Sequence, residues 1–184
     1  MRLQRPNGPA ARDRRSRARI FLKCMAVALL GAGTAARAQR DYGLIAHAAP
    51  DFTLHAVAGG NVRLSEHRGE VVVLSFWSSA CDSCRRQLDA LNRSFATYRS
   101  AGLAIYGVGV DDVPARASEY ARGLPVAFQM LLDPDKAVGR AYQVDNLPMT
   151  VLIDRSGTVR NVLRDYSAKS DDIYLQELRA LLNE

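Results

Sequence analysis

The sequence predicts an α/β fold with a central mixed β-sheet flanked by helices, and three observations carry that prediction. Val71 to Trp77 is a near-continuous run of strand formers, as expected for a strand covered on both faces. Directly downstream, Leu88, Leu91, Phe95 and Tyr98 recur at helical spacing. Near the C-terminus two apolar stretches flank Arg155-Ser156-Gly157, a hairpin signal, and an amphipathic segment closes the chain. Strand, helix, strand, then hairpin and helix describes an α/β sandwich.

In chain order, residues 39–50 read as a leader arm ending at Pro50. Phe52 to Ala56 and Asn61 to Leu64 flank Gly59-Gly60 and predict an N-terminal hairpin. After the strand at Val71 to Trp77, Ser83 to Arg99 reads as a helix and Leu103 to Val110 as the next central strand. Pro114 to Arg122 is a helix with its proline in the first turn, where the missing N–H costs nothing. Val126 to Leu132 reads as a strand and Lys136 to Tyr142 as a short helix. Met149 to Asp154 and Thr158 to Asp165 form the second hairpin, and Asp171 to Leu182 the last helix.

The formal charge of +6 suggests an acidic partner until it is divided along the chain. Residues 1–38 hold nine Lys or Arg and one Asp, a net +8, so the remainder carries −2. That removes the electrostatic case for a nucleic-acid partner. Arg12 to Lys23 is a basic region, Cys24 to Ala36 an apolar run, and Ala36-Arg37-Ala38 a small-x-small cleavage site, the three parts of a secretory signal peptide. Residues 1–38 are therefore expected to be removed, leaving a periplasmic or other extracytoplasmic protein. The alternative is an uncleaved membrane anchor, since Ile20-Phe21-Leu22 lengthens the apolar stretch and only Lys23 interrupts it. Cleavage would discard Cys24 and leave Cys81 and Cys84 as the only thiols of a mature chain of about 145 residues, long enough to bury a core without disulfide staples.

Cys81-Asp82-Ser83-Cys84 follows a predicted strand and opens a predicted helix. Two thiols at this spacing can close a small disulfide loop, and the free amides and positive dipole end of the helix stabilise the thiolate of the first. A zinc site needs about four ligands, and beyond this pair the chain offers only Cys24 and the upstream His47, His55 and His67. Covalent haem attachment needs His directly after the second Cys, and Arg85 stands there. Redox chemistry and an inert structural disulfide are the readings left. Neither calls for a metal or a cofactor.

Ala49-Pro50-Asp51-Phe52-Thr53-Leu54, Leu64-Ser65, Arg68-Gly69, Phe76-Trp77, Cys81-x-x-Cys84, Leu147-Pro148-Met149-Thr150 and Asp154-x-x-Gly157 occur in the order and spacing of thioredoxin-fold proteins of the TlpA/ResA type. The chain resembles that family over essentially all of residues 39–184, with 51–184 as its thioredoxin-like domain. The resemblance implies an exported thiol:disulfide oxidoreductase that reduces disulfides of extracytoplasmic proteins and is recharged by a membrane-associated or soluble thiol reductant. It implies that Pro148 follows a cis peptide bond beside the active site and that the backbone of Leu147 pairs with substrate. In the same roles, Cys81 is expected to be the attacking thiolate and Cys84 the resolving thiol. Trp77 is expected either to cover the disulfide or to serve as a core aromatic.

Five positions bear on the poise of the thiols. Ala80 stands where the family usually carries Trp. Ser75 occupies the place of the buried Asp of thioredoxins, and Gln87 the place of an acidic residue in ResA-like proteins. Asp82 is then the nearest carboxylate to the thiols, expected either to oppose thiolate formation or to relay protons. Arg85 adds positive potential or lies on a solvated helix face. Two rival functions remain: a peroxiredoxin-like thiol peroxidase using Cys81, suggested by Ser78 three residues earlier although Leu74 replaces the usual proline, and a non-catalytic binding module. A copper-delivering type is disfavoured because no His follows His67.

Overall fold

A computed structural model describes residues 43–184, so the expected signal segment, anchor and start of the leader arm lie outside the described residues. The strands are β1 (Thr53–Ala56), β2 (Asn61–Arg63), β3 (Val71–Trp77), β4 (Leu103–Gly109), β5 (Gln129–Leu132), β6 (Met149–Ile153) and β7 (Val159–Arg164). The helices are α1 (Asp82–Tyr98), α2 (Pro114–Arg122), α3 (Ala137–Ala141) and α4 (Ala168–Leu182). One seven-stranded sheet runs in the order β2-β1-β5-β4-β3-β6-β7. Strands β3, β4 and β5 are parallel, and β6 and β7 fold back antiparallel to one side. The hairpin β1–β2 extends the opposite side through an antiparallel pairing with β5. The segment β4-β3-β6-β7 with α1 and α4 is the thioredoxin core, and the N-terminal hairpin is its extension.

The crossovers β3-α1-β4 and β4-α2-β5 step the same way across the sheet. Right-handed connections therefore place both helices on one face. There Leu88, Leu91, Ala117 and Ala121 pack with Leu178 and Leu181 of α4. Strand β3 feeds two cores by simple alternation: Val71, Val73 and Trp77 face these helices, while Val72, Leu74 and Phe76 face Phe52, Val138 and Tyr142. Each such side chain contributes about 1.5–3 kcal/mol on full burial, which is why a strand this apolar is stable only in the middle of the sheet.

Trp77 is wholly buried and stacks on Tyr120, ring centroids 5.6 Å apart. Its indole lies across β4, and a Cβ on Gly109 would come within 2.8 Å of its Cζ2. Glycine is required there by close approach, since the φ of Gly109 is not in the left-handed region.

Local chemistry moves several predicted boundaries. Strand β5 begins at Gln129, not Val126, because Asn92 of α1 engages the preceding chain: its Nδ2 donates to Pro125 O at 3.1 Å and its Oδ1 accepts from Ala127 N–H at 2.8 Å. Helix α4 begins three residues before Asp171 because Ser167 and Ser170 form a reciprocal capping box. Residues 44–49 of the expected leader arm are tied down: Ala46 N–H donates to Val159 O at 2.8 Å, Val159 N–H to His47 O at 2.9 Å, and Leu44 and Ala49 are buried. Two distant pieces of the family pattern meet at one corner. Gly69 N–H donates to Arg155 O at 2.8 Å, and the Arg68 guanidinium lies over Gly157, where a Cβ would come within 2.1 Å of its Cζ.

Candidate active site

Cys81 is the N-cap of α1, and its sulfur accepts from the Cys84 N–H at 3.2 Å. The sequence arranges this by ending a buried strand at Trp77 and turning through Ser78-Ser79-Ala80, so that the helix opens just past the C-terminal end of β3. Cys81 and Cys84 form a disulfide. Cys84 is wholly buried, whereas Cys81 is half-buried and opens into a groove of about 860 Å³. Val110, Val144 and Leu147 give that groove its apolar lining, and charges of both signs stand around it, Asp111 and Asp112 against Arg116 and Arg140.

The Leu147–Pro148 peptide bond is cis. Leu147 lines the groove with Cys81, so the loop preceding β6 and the first thiol share one surface. Trp77 does not join them. Its complete burial under Tyr120 and above β4 makes it a core aromatic, and a substrate does not reach it.

Ser75 and Gln87, two separate departures from the family pattern in sequence, meet in the fold. Ser75 Oγ donates to Gln87 Oε1 at 2.9 Å, and Gln87 Nε2 donates to Thr150 Oγ1 at 2.6 Å. All three side chains are buried, and Ser75 and Thr150 face one another across β3 and β6. Thus a neutral, hydrogen-bonded chain runs one helical turn behind Cys84, where every polar atom named has a partner. Asp82 and Arg85 are exposed and do not line the groove.

Of the carboxylates that line the groove, Asp111 is the buried one, and motif spacing did not single it out. Only 9% exposed, it accepts from the Ser79 N–H with both oxygens at 3.0 Å and also from the Ser79 hydroxyl. It therefore fixes the turn that delivers Cys81, and the charge-assisted bonds offset its burial. The signal for it was topological: β3 and β4 run in parallel with Trp77 opposite Gly109, which brings Ser79 beside Asp111 two residues further on. Among the described residues no group of three or more His, Cys, Asp or Glu is arranged to hold a metal ion.

This arrangement can do dithiol–disulfide exchange, and comparison with known proteins decides the family. The AhpC/TSA family matches residues 45–162. The thiol-disulfide oxidoreductase ResA of Geobacillus kaustophilus (strain HTA426) is 33% identical over 123 residues, spanning 67% of this chain and 71% of that protein. The chain belongs to the AhpC/TSA family, as a ResA-like thiol:disulfide oxidoreductase. Among solved structures, a protein assigned as thiol:disulfide interchange protein DsbE from Chlorobium tepidum superposes with a TM-score of 0.72 at 31% identity, covering 75% of this chain and 97% of that one. An exposed lipoprotein thioredoxin of Streptococcus pneumoniae strain TIGR4 gives a TM-score of 0.64 at 26% identity, covering 72% of this chain and all of the other, 100%. The ResA-like scaffold thus supplies the thioredoxin core and the Cys pair. In this chain Asp111, the Ser75-Gln87-Thr150 chain and the exposed Asp82 stand around the Cys pair.

Proposed function

We propose that this protein is exported and reduces disulfides of extracytoplasmic proteins through the Cys81/Cys84 dithiol, by way of a mixed disulfide. One observation carries the reading: the half-buried sulfur of Cys81 opens into the groove that Leu147 lines, while Cys84 is shielded behind it. In the reduced enzyme the Cys81 thiolate, stabilised by the amide groups of the first turn of α1, attacks one sulfur of a substrate disulfide, and the other leaves as a thiolate. Cys84, losing its proton, then attacks Cys81 Sγ. The second substrate sulfur leaves, and the two electrons lost by the enzyme as its Cys81–Cys84 disulfide forms are those the substrate has gained. A membrane-associated or soluble dithiol reductant must return two electrons and two protons.

A substrate strand would lie in the groove against the backbone of Leu147 beside Pro148 and pair with it edge to edge. The apolar lining, and Val113 at 49% exposure on the same groove, offer contacts to the side chains around the substrate cysteine. Export rests on the basic, apolar and small-residue parts of residues 1–38. Among the described residues no helix is long and apolar enough to cross a membrane.

Insulin reduction by the reduced protein, with Cys81→Ser as control, tests the activity. Trapping with Cys84→Ser should leave extracytoplasmic proteins covalently attached to Cys81. Trapping only of the signal-bearing precursor's cytoplasmic neighbours would overturn export. Consumption of hydrogen peroxide without insulin reduction would make the protein a peroxidase instead.

A further inference from the structure

The backbone N–H that a substrate strand would need is already in use. Asn146 Oδ1 accepts from Leu147 N–H at 3.0 Å, and Asn146 Nδ2 donates to Asp165 Oδ1 at 2.7 Å. Asp165 is itself anchored, its N–H donating to Pro148 O at 3.1 Å. It has a left-handed backbone, φ 67°, a conformation that Asn, Asp and Gly tolerate best. The side chain of Asn146 is thus held in one orientation from outside the groove, with its carbonyl oxygen placed where a pairing strand would present its own.

We propose that Asn146 is a latch on the substrate-binding edge: its side-chain amide is an internal stand-in for a substrate backbone carbonyl, held closed by Asp165 and displaced when a substrate strand pairs with Leu147. This rests on the proposed reading that the edge at Leu147 receives substrate. Pairing then exchanges one hydrogen bond to the Leu147 N–H for another, so backbone contact alone adds little affinity. Substrates are selected by the further contacts their side chains make in the groove. Asn146 is a positioning residue, not a catalytic one, because it touches neither sulfur in the hydrogen bonds described.

Three variants test the latch in the full-length protein: Asn146→Ala removes the stand-in, Asp165→Gly removes its holder at a position where glycine suits the backbone, and Asp165→Asn keeps an oxygen acceptor for Asn146 Nδ2. Reduction of a disulfide-bridged peptide is compared with reduction of a small aromatic disulfide that has no backbone to pair. Asn146→Ala and Asp165→Gly should lower the peptide KM about two- to tenfold, the range for one net hydrogen bond, with kcat little changed. The ratio of peptide to small-disulfide kcat/KM should rise accordingly, and Asp165→Asn should stay near wild type. Hydrogen exchange at the Leu147 amide should accelerate in the first two variants and not in the third. A ratio that is unchanged or falls in Asn146→Ala, or a Leu147 amide that exchanges as in wild type, overturns the latch. Failure of the wild type to reduce any peptide disulfide overturns the proposed substrate class and this inference with it, whereas failure confined to the variants overturns the latch alone.

Discussion

Gln87→Glu puts a titratable group into the neutral chain behind Cys84. The change keeps the shape of the side chain, which is 5% exposed. Ser75 Oγ can still donate to it, and the Thr150 hydroxyl, which now accepts from Gln87 Nε2 at 2.6 Å, can turn and donate instead. Hydrogen bonding is therefore nearly conserved, and the dominant new cost is removing a carboxylate from water. Burial of that kind raises a carboxyl pKa by up to about 3–5 units. Two hydroxyl donors favour the charged form and offset part of this, so a rise of about 2 units above the ordinary value near 4.3 is the working figure.

At about 1.4 kcal/mol per unit, the variant should be less stable than wild type by roughly 2–3 kcal/mol at pH 7.5. The sign follows from proton binding. A raised folded-state pKa means the folded protein keeps a proton that the unfolded chain gives up above about pH 4.3, so stability falls as pH rises from there to the folded pKa. Below about pH 4 the deficit should nearly vanish. Urea unfolding of wild type and variant, both oxidised, at several pH values between 4.5 and 7.5 measures it, as the growth of the difference between them. A deficit that is already full near pH 4.5, or absent throughout, would refute the reasoning. The first result would indicate misfitting side chains, the second a site open to water.

Iodoacetamide added to the reduced protein at neutral pH should modify Cys81 faster than Cys84, on the order of tenfold, because only Cys81 reaches solvent; mass spectrometry of timed digests checks this, and faster labelling of Cys84 reverses the roles. Gly109→Ala should cost about 1–3 kcal/mol in urea unfolding, since its methyl would stand 2.8 Å from the Trp77 ring in a layer with no room to yield, and a neutral result would show that the indole can shift. Burial alone would raise the carboxyl pKa of Asp154, but hydrogen bonds from Ser156, Thr158 and Arg160 outweigh it and hold the pKa below the ordinary carboxylate value. Its contribution is therefore present above about pH 4 and lost as pH falls through the lowered value, so Asp154→Asn should make the acid limb of the stability profile shallower.

What could be read from the sequence and what could not divides along the range of the interactions. Strand β3, helix α1 and the β6–β7 hairpin were legible because their signals are periodicities and turn residues within one segment. The start of β5 was not, because Asn92, more than thirty residues upstream, takes over the groups that a longer ladder would have used. The start of α4 was missed for a local reason: a serine at Ser170 does the work usually signalled by Glu or Gln three residues after the cap. Trp77 had two readings in sequence, and the alternation of β3 chose the core one by turning it toward the helices. The thiols and Pro148 announced themselves as motifs, but Asp111 and Asn146 did not. Their partners, Ser79 and Asp165, are supplied by the parallel alignment of β3 with β4 and by the end of β7.

Ser75 and Gln87 show what the fold adds to a reading by position. Taken singly, each looks like the loss of a carboxylate from a family pattern. Joined at 2.9 Å and continued to Thr150, they form one neutral hydrogen-bonded chain. A carboxylate restored at either place alone would face an uncharged partner in a dry layer, with no cation among the bonded groups to stabilise it. The two departures therefore support each other. In the proposed mechanism, stabilisation of a Cys81 thiolate would then fall to the first turn of α1, where the Cys84 amide points at the Cys81 sulfur from 3.2 Å.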